Sequence, residues 1–178
     1  VSSILMKLLM IFSYFTDGFA YAGEALVGRY VGAGNRQMYK ESVKWTFIWS
    51  MSIAAIFMGI YHFAGVPLLK VMTSDAQVIQ AARPYLPWLL LMPVVGCAAF
   101  TWDGIYIGAT ASKDMRDSML LAVVSFAGVW ACGIFALRFM AFDDAAYNTM
   151  AVHVLMAAYF AHLLARTVYL SVRYRKII

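Results

Sequence analysis

Three carboxylates lie where carboxylates are expensive. Asp17, Glu24 and Asp103 each sit inside a long run of apolar residues. A charge at mid-bilayer costs about 2.5–3.5 kcal/mol even on the lenient insertion scale, so such a residue faces protein or a water-filled cavity. Desolvation raises the pKa of a carboxyl group, which lets an acid in a span take up and release a proton near neutral pH. The same group, ionised, holds a cation such as Na⁺. The chemistry these residues suggest is exchange of a proton or Na⁺ at membrane depth. The plainer alternative is a neutral acid hydrogen-bonded to a tyrosine hydroxyl or a backbone carbonyl, tying helices together.

The spacing groups them. Asp17 and Glu24 are seven residues apart, about 700° of helical rotation, so they share a face with only ~20° of drift. Tyr21 lies between them on that face and Gly28 continues the stripe. Further along, Gly96, Ala99, Asp103, Tyr106 and Thr110 form a comparable stripe. Tyr21, Tyr106 and Trp102 are the candidate cavity-lining aromatics. Measured from the span ends, Glu24 and Asp103 each fall ~10 Å to the cytoplasmic side of the midplane, at matching heights, with Asp17 near the middle. Two small-xxx-small patterns, Gly28-x-x-x-Gly32 and Gly104-x-x-x-Gly108, predict close helix packing. Pro93 removes a backbone hydrogen bond upstream of Asp103 and predicts a kink there. Irregular backbone at membrane depth is tolerated where it borders a cavity, although proline is common in membrane helices anyway.

The elements that must position these residues are membrane helices. Hydrophobic residues make up 63% of the 178-residue chain and charged residues 13%, against roughly 45–50% and ~25% in soluble domains. That leaves too little polar surface for a soluble globule, a disordered chain or a disulfide scaffold. Spanning ~30 Å of hydrocarbon takes about 20 residues. Five runs qualify, at 4–32, 43–70, 84–109, 117–140 and 146–170. The fold class is therefore all-α, a polytopic transmembrane bundle, and with no Ser/Gly-rich linker the chain reads as one bundle. Gly32-Ala33-Gly34-Asn35 is a helix stop, and Ser74-Asp75-Ala76-Gln77 reads as a capping box opening a short amphipathic helix from Ala76 to Arg83.

Basic residues orient the bundle. Arg29, Arg36, Lys40, Lys44, Lys113, Arg116, Arg166, Arg173, Arg175 and Lys176 fall at one set of ends, and Lys7, Lys70, Arg83 and Arg138 at the other. The richer set belongs in the cytoplasm with the C-terminus, so the first span enters from outside. An odd number of spans entering from outside, in a chain that opens on Val1, predicts a piece of a longer protein with at least one more span upstream. The net charge of +5 is explained by anionic headgroups and needs no nucleic acid. Cys97 and Cys132 lie in separate apolar runs, and His153 and His162 point to opposite faces, so neither pair has metal-ligand spacing. Trp45, Trp49, Trp88, Tyr85 and Tyr169 suit an interfacial belt. No nucleophile–base arrangement, phosphate loop or zinc motif is present, so no catalytic residue, metal or cofactor is expected.

Two stretches carry a family resemblance. Tyr14-Phe15-Thr16-Asp17-Gly18-Phe19-Ala20-Tyr21-Ala22-Gly23-Glu24-Ala25-Leu26-Val27-Gly28, continuing through Arg29-Tyr30-Val31-Gly32-Ala33-Gly34-Asn35, resembles the eighth helix of MATE (multidrug and toxic compound extrusion) transporters, DinF-like branch. Leu91-Met92-Pro93-Val94-Val95-Gly96, with Asp103-Gly104-Ile105-Tyr106-Ile107-Gly108-Ala109-Thr110 and Met115-Arg116, resembles the tenth helix. The resemblance covers essentially the whole chain. It implies a twelve-helix exporter of two six-helix lobes in the bacterial cytoplasmic membrane, extruding organic cations, drugs and other amphipathic compounds in exchange for H⁺ or Na⁺. On that mapping the chain supplies the eighth to twelfth helices of the C lobe. Asp103 falls on the helix where some members carry a cation-binding acid, and Asp17 and Glu24 match the branch's own pattern. The N lobe and seventh helix, with a further coupling acid on the first helix, lie outside the chain, which alone should not transport. A lipid-linked sugar flippase of the same superfamily is the alternative; it needs a cationic cavity, and no span interior is expected to carry Arg or Lys. A non-transporting structural subunit would tolerate loss of all three acids.

Overall fold

A computed structural model describes residues 2–140 and 143–177. The long helices are α1 (Ser2–Gly32), α2 (Arg36–Met72), α4 (Leu86–Gly108), α5 (Ser112–Arg138) and α6 (Asp144–Arg173), with the short α3 (Ala76–Ala82) ahead of α4. Among the described residues, four segments are long and apolar enough to cross a membrane: Arg36–Met72, Ala76–Gly108, Ser112–Arg138 and Asp144–Lys176. At 31 residues α1 has the length as well, and it carries Lys7, Asp17, Glu24 and Arg29. The helices sort into two compact units, α1–α4 and α5–α6.

Several boundaries move outward from those expected, because capping and not hydropathy sets them. The second helix begins at Arg36 and not at 43, since the Asn35 side chain caps it by accepting from Met38 N at 3.0 Å. Asp75, not Ser74, caps α3, with its Oδ1 accepting from Gln77 N (2.8 Å) and Val78 N (3.4 Å). The short helix expected from Ala76 forms as α3 (Ala76–Ala82). It passes through a 3-10 turn at Arg83–Tyr85 straight into α4, making a 33-residue segment. The turn coincides with Pro84, whose missing N–H suits an element start. Tyr85 is buried there. α4 runs unbroken through Pro93.

α1 and α4 end in the same way. After α1, Asn35 N donates to Tyr30 O and Gly34 N to Val31 O, with Gly34 at φ 64°. After α4, Ala111 N donates to Tyr106 O and Thr110 N to Ile107 O, with Thr110 at φ 54°. Both are Schellman caps, which need a left-handed residue at the position after the C-cap. Glycine fills that place without cost, whereas the β-branched Thr110 is strained in it.

In the first unit α1, α2 and α4 pack on one another around Leu8, Phe12, Ala54, Tyr61, Leu89 and Cys97. Phe57 receives Phe12 and Tyr61 edge-on, at 5.5 and 5.8 Å between ring centres. The Tyr61 hydroxyl donates to Leu8 O at 2.8 Å, tying α2 to the early part of α1. In the second unit α5 and α6 form a hairpin. A Cβ on Gly133 would be driven into the Val154 side chain, so glycine sets how near the two helices lie. Asp143 caps α6 by accepting from Ala146 N at 2.9 Å, and Arg173 closes the other end on Asp114 at 2.7 Å.

Candidate functional site

The approach of α1 to α4 is so close that only glycine fits on the α4 side. A Cβ on Gly104 would collide with the carbonyl of Ala20, and one on Gly108 with the carbonyl of Glu24. At both positions the glycine α-hydrogen faces a carbonyl oxygen, a Cα–H···O contact of the kind that recurs between helices. The backbone is the obstacle, so no rotamer change relieves it. Gly28 joins from the α1 side, with 3.2 Å from its Cβ position to Gly108 O. Gly32 does not, having nothing within 4 Å: it lies two turns beyond the level of Gly108, where α4 has ended.

These contacts also set direction and height. Ala20 meets Gly104 and Glu24 meets Gly108, so the helices run parallel and advance together. Asp103 then lies level with Phe19, about 3 Å beyond Asp17 and about 7 Å short of Glu24 along the axis. The expected match in height between Asp103 and Glu24 is therefore corrected. Depths counted from span ends drift when a cap or a 3-10 turn shifts the end, whereas the glycine seam fixes register directly.

On the flank of that seam the acids come together. A cavity of about 150 Å³ is lined by Asp17, Ala20, Tyr21 and Glu24 of α1 and by Phe100, Asp103, Gly104 and Ile107 of α4. All three carboxylates are half-buried, and Tyr21 stands at the mouth with 68% of its surface exposed. Asp103 is the α4 contribution, held between the two α1 acids by the Gly104–Ala20 contact one residue away. Among the described residues no group of three or more His, Cys, Asp or Glu lies close enough to hold a metal ion.

Two of the expected lining aromatics lie elsewhere. Trp102 and Tyr106 are buried. Trp102 packs on Phe47 of α2 at 4.7 Å and on Tyr106 at 6.0 Å. Positions 102 and 106 lie about 100° and 60° from Asp103 on the side away from Phe100 and Ile107, so they turn toward α2. Conversely, Ala20, Phe100 and Ile107 line the cavity without having been singled out. Nothing in their residue types marks them; the 100/103/104/107 spacing does, once α4 is known to face α1.

A buried cation was also missed. Arg166 is only 6% exposed, seven residues inside the α6 terminus at Arg173, whereas the sequence grouped it with the end charges. The expectation that no span interior carries a basic residue is corrected accordingly. It sits one turn beyond His162, whose ring stacks on Tyr159 at 6.2 Å and 4°. One arginine does not make the large cationic cavity a phosphorylated sugar lipid needs.

The MatE family model matches residues 1–131, which takes in α1 to α4 and so the whole glycine seam and acid cavity. DNA damage-inducible protein F of Escherichia coli (strain K12) is 38% identical over 127 residues, covering 71% of this chain and 28% of that protein. The chain thus corresponds to little more than a quarter of the length of the curated relative it matches. No solved structure matches it. With four apolar segments long enough to span a bilayer and a family match over most of its length, the chain belongs to the MatE family of multi-pass membrane transporters.

Proposed function

We propose that the chain forms part of the C lobe of a cation-coupled exporter, and that the cavity of Asp17, Glu24 and Asp103 is its site for the coupling ion, H⁺ or Na⁺. The observation that carries this reading is the convergence of three intramembrane carboxylates from two parallel helices on one small cavity. Spread singly over the helix surfaces, each acid would pay its own desolvation cost. Collected around one opening, they form a site whose charge changes when an ion enters or leaves.

The coupling follows from that charge. With the acids ionised, the cavity attracts a cation, organic or inorganic. A proton or Na⁺ arriving from the higher-potential side neutralises a carboxylate and weakens its hold on a cationic substrate. If ion-loaded and substrate-loaded forms favour opposite-facing arrangements of the lobes, the ion gradient drives export. The remaining lobe and the seventh helix of the same polypeptide complete the central cavity, and the substrates are amphipathic organic cations and drugs. The site lies in the bacterial cytoplasmic membrane with the C-terminus in the cytoplasm. No enzymatic step and no cofactor beyond the coupling ion is involved.

The test is Asp103→Asn in the whole transporter, reconstituted in vesicles with an imposed H⁺ or Na⁺ gradient and a fluorescent cationic dye. Ion-driven efflux should be abolished while membrane insertion and helix content stay normal. Unchanged efflux would remove Asp103 from the mechanism. Unchanged efflux in Asp17→Asn and Glu24→Gln as well would leave the acids a purely structural role.

A further inference from the structure

The second unit contains a feature that ion coupling does not use. Along α6, Leu164, Val168 and Val172 form one ridge at i, i+4, i+8, and Ala165, Tyr169 and Arg173 form the next. Because Ala165 is small, a furrow opens between the ridges; Leu121 of α5 closes its side, and the cavity measures about 480 Å³. That lies within the roughly 300–1,000 Å³ of small-molecule sites. Its outer ridge is open, with Leu164, Val168 and Val172 50%, 60% and 73% exposed. From Leu164 to Arg173 the strip is about 13 Å long.

Its two ends differ in chemistry. The Leu164 end is hydrocarbon. At the other end Arg173 is held in place twice, by Asp114 at 2.7 Å and by the Tyr169 ring, 5.0 Å from the guanidinium. Its side chain is still 42% exposed. Arginine's planar fork carries five donors, and one contact to Asp114 does not use them all. Lys113, Arg116, Arg175 and Lys176 flank the same end of the hairpin against Asp114 and Asp117, so the local balance is cationic. An apolar strip that ends in a fixed guanidinium at the helix terminus complements an acyl chain that ends in a phosphate.

We propose that the α5–α6 furrow binds one anionic phospholipid, with an acyl chain along Leu164, Val168 and Val172 and the headgroup phosphate on Arg173. The clamp by Asp114 and Tyr169 holds the guanidinium ready, so little side-chain entropy is lost on binding. Basic pockets at helix ends are a recurrent way of holding anionic headgroups.

The experiment is native mass spectrometry of the whole transporter in detergent with equimolar phosphatidylglycerol and phosphatidylcholine. Wild type should carry phosphatidylglycerol in preference. Arg173→Gln should cut that preference about fivefold, the value of one basic residue at a membrane surface, and Arg173→Lys should retain most of it. Val168→Trp, an exposed position whose change does not threaten folding, should fill the furrow and lower retention of both lipids. Equal retention of the two lipids by wild type, or unchanged lipid adducts in both Arg173→Gln and Val168→Trp, would overturn the proposal. So would a furrow occupied by a second copy of the chain, seen as dimers that Val168→Trp dissociates.

Discussion

At Gly104 a single hydrogen atom determines whether the acid cavity exists. The Cβ of any other residue would stand inside the carbonyl of Ala20, and relief requires moving a helix and not a side chain. Gly104→Ala should therefore destabilise the protein by about 1–3 kcal/mol, the usual cost of overpacking, and push Asp103 away from α1. Gly32→Ala is the matched control. With open space around it, alanine there should be neutral or stabilising by up to about 1 kcal/mol, from helix propensity alone. Thermal unfolding of the two variants in detergent tests the pair; equal shifts would mean that the seam does not set the packing. The sequence marked both glycine pairs identically, and this is where residue-level reading stopped. The shared face of Asp17, Tyr21 and Glu24 follows from one helix's own geometry and was legible. Which glycine meets a neighbour, and that Trp102 and Tyr106 turn to α2, depends on where the partner helix ends and from which side it arrives. Neither is written in the local pattern.

Among the elements, α1 and α4 are the pair that makes the site. Residues such as Tyr21 and Ile107 are 68% and 47% exposed, and so is Ile56 on α2 at 56%. Exposure of this kind does not distinguish water from lipid. The acids do: a carboxylate at membrane depth faces protein or a water-filled cavity, so on the proposed reading this cavity admits water, whereas an isolated isoleucine on α2 would face hydrocarbon. In a Cys132→Ser background, Tyr21→Cys and Ile107→Cys should react with a membrane-impermeant maleimide, and Ile56→Cys should not, because thiolate forms only where water reaches. Cys97, fully buried, stays silent in every variant. Labelling of Ile56→Cys as fast as Tyr21→Cys would mean that the cavity is no wetter than the lipid face. Element existence was read well from hydropathy and length, since each apolar run is a helix. Their ends were read less well. Asn35 starts α2 several residues ahead of where hydropathy rises, whereas the short helix from Ala76 was legible from its cap; that it runs on into α4 turns on a proline-tolerant 3-10 turn that periodicity does not register.

For the whole molecule, the proposed topology rests on two independent observations. By the positive-inside bias, the loops at 33–35 and 109–111 and the C-terminus are expected on one side of the membrane, with 73–75 and the α5–α6 connection on the other. The glycine seam separately makes α1 and α4 parallel, which fits α2 crossing the membrane once between them. The Schellman caps after both helices then lie at the same membrane face. On this arrangement we propose that α1 crosses as well, with α4 packed along the face that carries Asp17 and Glu24. Reporter fusions in the whole transporter test it directly. A green fluorescent protein joined after Lys176 should fluoresce, and alkaline phosphatase inserted at Ser74 should be active; the same phosphatase at Gly34 should be inactive. If α1 instead lay along the surface, those three reporters would read the same, because α2, α4, α5 and α6 still cross; the deciding fusion is alkaline phosphatase placed ahead of α1, which should be active if α1 crosses and inactive if it lies on the cytoplasmic surface. The parallel seam predicts activity ahead of α1, since a surface helix could not advance in step with a spanning α4 over the two turns from Ala20 to Gly28.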